Sequence, residues 1–198
     1  MSLDDIIFNP FTDFLKQNIS SPADDFVSYI SRKCQFPKMH SDMYVSFLFE
    51  MYCRWSLEQF VQCKSLPLIP AQCSNVIINT PQETYKFFTG QYGNVTCSVL
   101  PSKTQSSAYT FTELDIVYEY KTPFEHKPLL FEVTLGSRSN VTKKQGRRMF
   151  AMKLLYKQDP VLCILVPGKQ AVWSARYRTL YVPIRENFNA ARALFEKK

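Results

Sequence analysis

The segment LLFEVTL, residues 129–135, places one carboxylate in the middle of an otherwise apolar run. If the segment is a β-strand with alternating side chains, Glu132 shares its face with Leu130 and Thr134. A charged carboxylate in apolar surroundings is unfavourable unless a cation compensates it. The segment therefore predicts a strand whose central acid has a function, in preference to a strand-edge acid in water.

A second acid lies upstream in the segment TELDIVY, residues 112–118, within a predicted strand that runs from residue 109 to residue 120. If this strand and residues 129–135 pair as a hairpin, Asp115 and Glu132 converge near one end. Two adjacent carboxylates repel each other, and a bound divalent metal ion relieves that repulsion. The two strands together therefore predict a metal site.

The excess positive charge of the chain lies in a single segment, residues 138–157. The chain has 24 basic and 17 acidic residues. This segment has no Asp or Glu, and its cations are Arg138, Lys143, Lys144, Arg147, Arg148, Lys153 and Lys157. Like charges at i,i+4 repel on a helix unless an anion neutralises them. The segment predicts a phosphate-binding surface, with a solvated basic face as the alternative.

The remaining patterns predict helices first and strands later. Helices are expected over residues 3–17, 21–32, 42–63, 141–157 and 185–198, and strands over residues 94–100, 109–120, 128–135, 161–166 and 179–184. Between these groups, Pro67, Pro70 and Pro81 predict a loop with one short element around residues 76–78. This order predicts an α/β (α+β) fold with a mixed β-sheet flanked by helices and an N-terminal helical region.

Length and composition limit the class of protein. The chain has 198 residues, of which 45% are hydrophobic and 21% charged. This composition excludes a disordered chain, a fibre and a coiled coil. No apolar run reaches the roughly 18 residues that span a membrane. Six cysteines without a Cys-x-x-Cys pair predict free thiols in an intracellular protein. We expect one domain over residues 1–198, with a helical lobe over about 1–65.

The arrangement of Asp115 and the sequence Glu132-Val133-Thr134 resembles the PD-(D/E)XK nuclease superfamily. The resemblance covers roughly residues 40–166, where a helix precedes the hairpin and α-β follows it. It implies a PD-(D/E)XK-like core over about residues 40–184 and a separate C-terminal helix over about 185–198. Leu114 replaces the usual proline, and Thr134 stands where most members carry the catalytic lysine, whose charge threonine cannot replace.

The segment FEVTLGSRS, residues 131–139, is similar to the cap-snatching endonuclease domain at the N-terminus of bunyavirus-type polymerases. Such domains often carry Glu-x-Thr and take their lysine from the following helix. The resemblance implies five metal ligands, of which one is a backbone carbonyl: His40, Asp115, Glu132, Glu83 and the Val133 carbonyl. One or two ions are expected. A histidine among oxygen ligands favours Mn²⁺ over Mg²⁺.

The same resemblance assigns the cations of the following helix. Lys153 fits the catalytic lysine best, and Lys144 and Lys143 are the alternatives. The expected nucleic-acid contacts are Arg138, Lys143, Lys144, Arg147 and Arg148.

These features predict a metal-dependent endonuclease that cleaves single-stranded RNA, monomeric when isolated and part of a larger viral polymerase polypeptide in the host cytoplasm, with no membrane partner. One alternative is a cellular or mobile-element DNA nuclease, since Gln145 with Arg148 resembles the Gln-bearing helix of RecB-like nucleases. A surface glutamine is the simpler interpretation of Gln145. The other alternative is a catalytically inactive nuclease fold that binds RNA or a protein, because Thr134 replaces the lysine.

Overall fold

The computed structural model describes residues 1–17, 23–33, 41–101, 107–135, 138–168 and 178–196. A π-helical turn, Asp4–Phe8, continues directly into the first α-helix. The α-helices are α1 Asn9–Lys16, α2 Ala23–Lys33, α3 Ser41–Lys64, α4 Arg138–Tyr156 and α5 Glu186–Glu196. The strands are β1 Leu68–Pro70, β2 Val76–Asn79, β3 Glu83–Thr89, β4 Val95–Pro101, β5 Tyr109–Leu114, β6 Ile116–Lys121, β7 His126–Val133, β8 Val161–Pro167 and β9 Arg178–Val182.

Within these described residues, the strands form two sheets. The first is mixed and has the order β1-β6-β7-β8-β9, and the second is antiparallel and has the order β2-β3-β4-β5. The expected α+β class with a mixed sheet is confirmed. The chain divides into two compact units. Unit 1 comprises Met1–Leu66, Val133–Leu135 and Ile164–Lys198, and unit 2 comprises Pro67–Glu132 and Gly136–Cys163.

Unit 1 is built around aromatic residues contributed by its helices. The ring of Phe60 on α3 lies 5.0 Å from that of Phe11 and 5.4 Å from that of Phe14, both on α1. Helix α2 packs against α5, and Phe26 on α2 contacts the ring of Trp55 on α3. Apolar side chains at helical spacing give α1 one buried stripe, whereas the middle of α3 is buried on all sides. Burial of these side chains stabilises the unit.

Unit 2 contains the β6–β7 hairpin and the four-stranded sheet. In the hairpin, Ile116 lies opposite Phe131 and Tyr120 opposite Lys127. In the four-stranded sheet, Thr112 pairs with Cys97 and Thr110 with Ser98, so the intervening Phe111 has no partner across the ladder. This extra residue is a β-bulge, a feature that redirects a side chain and bends the strand.

The structure corrects the prediction of a loop after α3. That segment contains β1, β2 and β3, of which only β2 was expected. The prolines do not prevent these strands, because Pro70 ends β1 at the edge of its sheet, where a missing N–H breaks no ladder bond. Pro81 lies in the turn between β2 and β3. The alternation of buried Tyr85 and Phe87 with half-buried Lys86 was the available signal for β3.

The structure also corrects the single strand predicted over residues 109–120. The chain forms β5 in the four-stranded sheet, bends at Asp115 and continues as β6 in the five-stranded sheet. β-branched and aromatic residues on both sides of Asp115 concealed this break, because they favour strand equally in either sheet. The alternation argument therefore applies to each strand separately and does not carry across Asp115.

Two further expectations concern thiols and membranes. Among the described cysteines, Cys53, Cys63, Cys73, Cys97 and Cys163 are free thiols. No helix in the described ranges is both long enough and apolar enough to cross a membrane.

The packing of Phe60 against the two phenylalanine rings of α1 is expected to be a main source of the stability of unit 1. Phe60→Ala removes a fully buried ring and should lower the free energy of unfolding by about 3–5 kcal/mol, measured by chemical denaturation. The control is Phe124→Ala, because Phe124 is 97% exposed and its loss should change stability by less than about 0.5 kcal/mol. Equal stability of the two variants would contradict this assignment.

Candidate active site

The hairpin brings Asp115 and Glu132 together in unit 2. Ile116 pairs with Phe131 at the end of the antiparallel ladder. Asp115 precedes Ile116 and Glu132 follows Phe131, so the two acids meet where the ladder ends. The backbone N–H of Asp115 donates to Glu132 Oε1 at 3.4 Å. Both side chains are buried, and that of Glu132 is only 1% exposed. The pairing expected from the sequence is therefore present.

Burial determines the protonation of this pair. Loss of hydration raises the pKa of Glu132 well above its ordinary value, and the nearby charge of Asp115 raises it further. The positive charge of Arg148 acts in the opposite direction without cancelling the rise in pKa. A hydrogen bond between the two carboxyl groups also favours the protonated form of Glu132. The pair thus holds a proton or a cation more readily than two exposed acids would.

Arg148 on α4 supplies the cation that contacts Glu132. Its Nη1 lies 2.6 Å from Glu132 Oε2, and its side chain is only 13% exposed. Its Nε donates to the backbone carbonyl of Glu113 at 3.3 Å. The sequence interpretation assigned Arg148 to nucleic acid, but the structure directs its guanidinium to the buried carboxylate.

Gln145 lies one helical turn before Arg148, on the buried side of α4. It is 2% exposed, so the interpretation of a surface glutamine is wrong. Neither Nε2 nor Oε1 of its amide has a hydrogen-bond partner among the described residues. A buried amide without partners is costly, and such groups accept a ligand or a water molecule.

The candidate lysines differ in their position around α4. At about 100° per residue, Lys144 is one turn before Arg148 on nearly the same face, whereas Lys143 and Lys153 lie about 140° away. Lys153 Nζ lies 3.1 Å from Asp159 Oδ1, and both side chains are mostly exposed. Lys143 and Lys144 are also exposed. Of the three candidate lysines, Lys144 therefore lies closest to the face of α4 that carries Arg148.

The remaining predicted ligands are not all brought to this pair. Glu83 begins β3 and pairs with Pro101, whereas Leu114 lies at the opposite end of the same sheet, about 20 Å away at strand spacing. Glu83 instead accepts a hydrogen bond from Tyr85, at 2.8 Å. Val133 directly follows Glu132 and ends β7. His40 lies outside the described residues.

The expected nucleic-acid contacts on α4 are also separated. The exposed Arg147 lies over the ring of Phe111, with 5.6 Å between its Cζ and the ring centroid. Arg138 begins α4, and its side chain lies outside the described part of the structure.

The residues present fit a divalent cation. Among the described residues, no group of three or more His, Cys, Asp and Glu side chains could hold a metal ion. Two converging carboxylates are nevertheless a sufficient protein contribution for Mg²⁺, which binds through one or two carboxylates and completes its shell with water and substrate phosphate. The buried amide of Gln145 adds a polar group to the same side of α4.

Comparison with known proteins adds no assignment. No family model, curated protein or solved structure matches this chain.

Sequence reasoning missed the inward orientation of Arg148 and the burial of Gln145. A signal was present, because residues 145, 148 and 152 recur at helical spacing and Met152 is fully buried. A glutamine and an arginine at such positions indicate a polar group that the interior must satisfy.

The raised pKa of Glu132 predicts a pH-dependent effect of Glu132→Gln in EDTA. The folded state binds the Glu132 proton more tightly than the unfolded chain does. The stabilisation is full below the ordinary pKa of 4.5 and is lost as pH rises through the higher folded-state pKa. Glutamine cannot ionise, so the melting temperature of the variant minus that of the wild type should increase from pH 4 to pH 8.

The control for this experiment is Glu125→Gln in the exposed β6–β7 turn. Its difference from the wild type should stay flat over the same pH range. A Glu132→Gln difference that falls with rising pH would contradict the assignment of a raised pKa.

Proposed function

We propose that this protein is a divalent-metal-dependent endonuclease that cleaves single-stranded RNA. The observation that carries the proposal is the meeting of two buried carboxylates, Asp115 and Glu132, beside a helix that contains no acidic residue. Acidic ligands for a hard cation next to a cationic surface for phosphate are the groups that phosphodiester hydrolysis requires.

Each residue of the site has a role in this proposal. Asp115 and Glu132 would hold Mn²⁺ or Mg²⁺, which polarises a phosphate and lowers the pKa of bound water. Lys144, on nearly the same face of α4 as Arg148, would stabilise negative charge on the phosphate. Arg148 keeps the buried Glu132 compensated when no substrate is bound.

The narrower assignment to a viral cap-snatching polymerase domain is supported by the sequence similarity of residues 131–139. That similarity also accounts for Thr134, because related domains take their lysine from the following helix. The position of Lys144 on α4 is compatible with such a displaced lysine.

Mn²⁺ is expected to raise the melting temperature of the wild type relative to EDTA and to support cleavage of a labelled single-stranded RNA. Binding to the folded state alone stabilises it by about 2.7 kcal/mol at a concentration one hundred times the Kd. Asp115→Asn should lose both effects, because it removes a ligand charge at nearly constant volume. Each protein is compared in EDTA, Mg²⁺ and Mn²⁺.

Glu125→Gln is the matched control and should retain both effects, since Glu125 lies in an exposed turn. Cleavage in EDTA, or an unchanged Mn²⁺ response in Asp115→Asn, would count against the proposal. A parallel single-stranded DNA substrate of the same sequence separates a ribonuclease from a DNA nuclease.

A second candidate function is a nuclease-like domain that binds nucleic acid without cleaving it. The ion pair between Arg148 and Glu132 favours this candidate, because it compensates part of the buried carboxylate's charge without a metal ion. Thr134 favours it as well, since threonine brings no charge to the usual lysine position.

Arg148→Gln distinguishes the two candidates. Removal of one partner from a buried ion pair should destabilise the protein by about 3 kcal/mol in EDTA. If the carboxylates form a metal site, Mn²⁺ should restore most of this loss and bind more tightly than to the wild type, as measured by calorimetry. If the pair is only structural, Mn²⁺ should restore nothing.

The matched control is Arg192→Gln, which removes an exposed i,i+4 ion pair with Glu196. Such a pair contributes about 1 kcal/mol or less, and its loss should not depend on Mn²⁺.

A further inference from the structure

Three aromatic side chains of unit 2 form a cluster between α4 and the four-stranded sheet. The ring centroids of Tyr85, Phe111 and Phe150 lie 5.6–5.8 Å apart in edge-to-face contacts. Phe111 is the bulged residue of β5, so the bulge is what redirects its ring. We call Tyr85, Phe111 and Phe150 the aromatic cluster.

The aromatic cluster is only partly covered. Tyr85 is buried and Phe111 half-buried, but Phe150 on α4 is 44% exposed. The neighbouring Tyr109 on β5 is also exposed. Packing between the helix and the sheet explains why Tyr85 is buried. It does not explain why the ring of Phe150 stays open to solvent.

Two cations of α4 share a face of the helix with Phe150. Lys143, Arg147 and Phe150 lie within about 60° of one another around α4. Both cations are exposed, and the guanidinium of Arg147 lies over the ring of Phe111. Helix α4 contains no Asp or Glu that could neutralise them within the helix. A partner for this face is therefore expected to be anionic.

The partner must also present flat aromatic surfaces. Rings and a guanidinium plane stack on unpaired bases, while neighbouring lysines and arginines follow the phosphates. A duplex hides the faces of its bases, and an acidic peptide has no bases to stack. Single-stranded nucleic acid has both the charge and the exposed rings.

We propose that Phe150, Phe111 and Arg147 form a base-stacking subsite for single-stranded nucleic acid beside the carboxylate pair. Strand β5 leads from Phe111 towards Asp115, four residues later and about 13 Å along an extended chain. A single strand seated on the subsite therefore reaches Asp115 and Glu132 within a few nucleotides. The link to cleavage rests on the proposed function, but the binding itself needs neither metal nor hydrolysis.

The test measures binding in EDTA, where no metal-dependent cleavage takes place. The probe is a fluorescein-labelled ten-nucleotide single-stranded RNA of mixed sequence, and the readout is fluorescence anisotropy. Loss of one stacking ring typically weakens binding by about 5- to 150-fold. Phe150→Ala should show a loss in this range, and Phe150→Tyr should bind like the wild type because it keeps an aromatic ring.

Two controls separate stacking from folding. Phe150→Leu keeps much of the apolar volume, so it should preserve the melting temperature while losing affinity as Phe150→Ala does. Phe124→Ala removes an almost fully exposed ring in the β6–β7 turn and should leave affinity unchanged. Arg147→Lys keeps the charge but loses the planar group, so it should also bind more weakly.

Competition identifies the class of partner. Unlabelled single-stranded RNA should displace the probe at lower concentration than a blunt duplex of the same sequence, an abasic oligonucleotide of equal charge or a poly-glutamate peptide. Equal displacement by any of these three, or wild-type affinity in Phe150→Leu, would overturn the proposal. Weakened binding by Phe150→Leu in a protein that never cleaves RNA would support the subsite and refute only the proposed enzyme.

Discussion

The charge of Glu132 is the constraint on which the candidate site depends. Its carboxylate lies on a buried strand, next to Asp115, where an uncompensated negative charge would be unfavourable. Arg148 compensates it in part from α4. In the proposed enzyme, a bound metal ion would add to this compensation. The same requirement explains why an arginine of the following helix contacts the strand that carries Glu132.

The basic residues of α4 lie on two sides of the helix with different surroundings. Its buried side holds Gln145, Arg148 and Met152, and directs one cation to the carboxylates. Its open side holds Lys143, Arg147 and Phe150, and places charge next to aromatic rings. Repulsion between cations one turn apart is reduced because Arg148 points inward to Glu132 while Lys144 stays in water. A uniform solvated basic face would show no such division.

The elements that the sequence did not predict share a physical cause. Prolines near β1 and β3 made these segments look like loops. A proline is compatible with a strand at the edge of a sheet or with a neighbouring turn, and the sequence does not show where the sheet edge lies. The break at Asp115 was obscured because β5 and β6 have the same residue preferences while they belong to different sheets. In each case the deciding factor was a neighbour distant in sequence.

The sequence by itself determined the α+β class, the strand that forms β8, the hairpin that joins Asp115 to Glu132 and the location of the excess charge. These properties follow from local periodicity and composition, which act over a few residues. Only the tertiary structure decided that Arg148 turns inward, that Gln145 is buried with no hydrogen-bond partner for its amide among the described residues and that Glu83 lies far from Asp115. Those outcomes depend on register and packing between distant segments, because desolvation and charge interactions change steeply with distance.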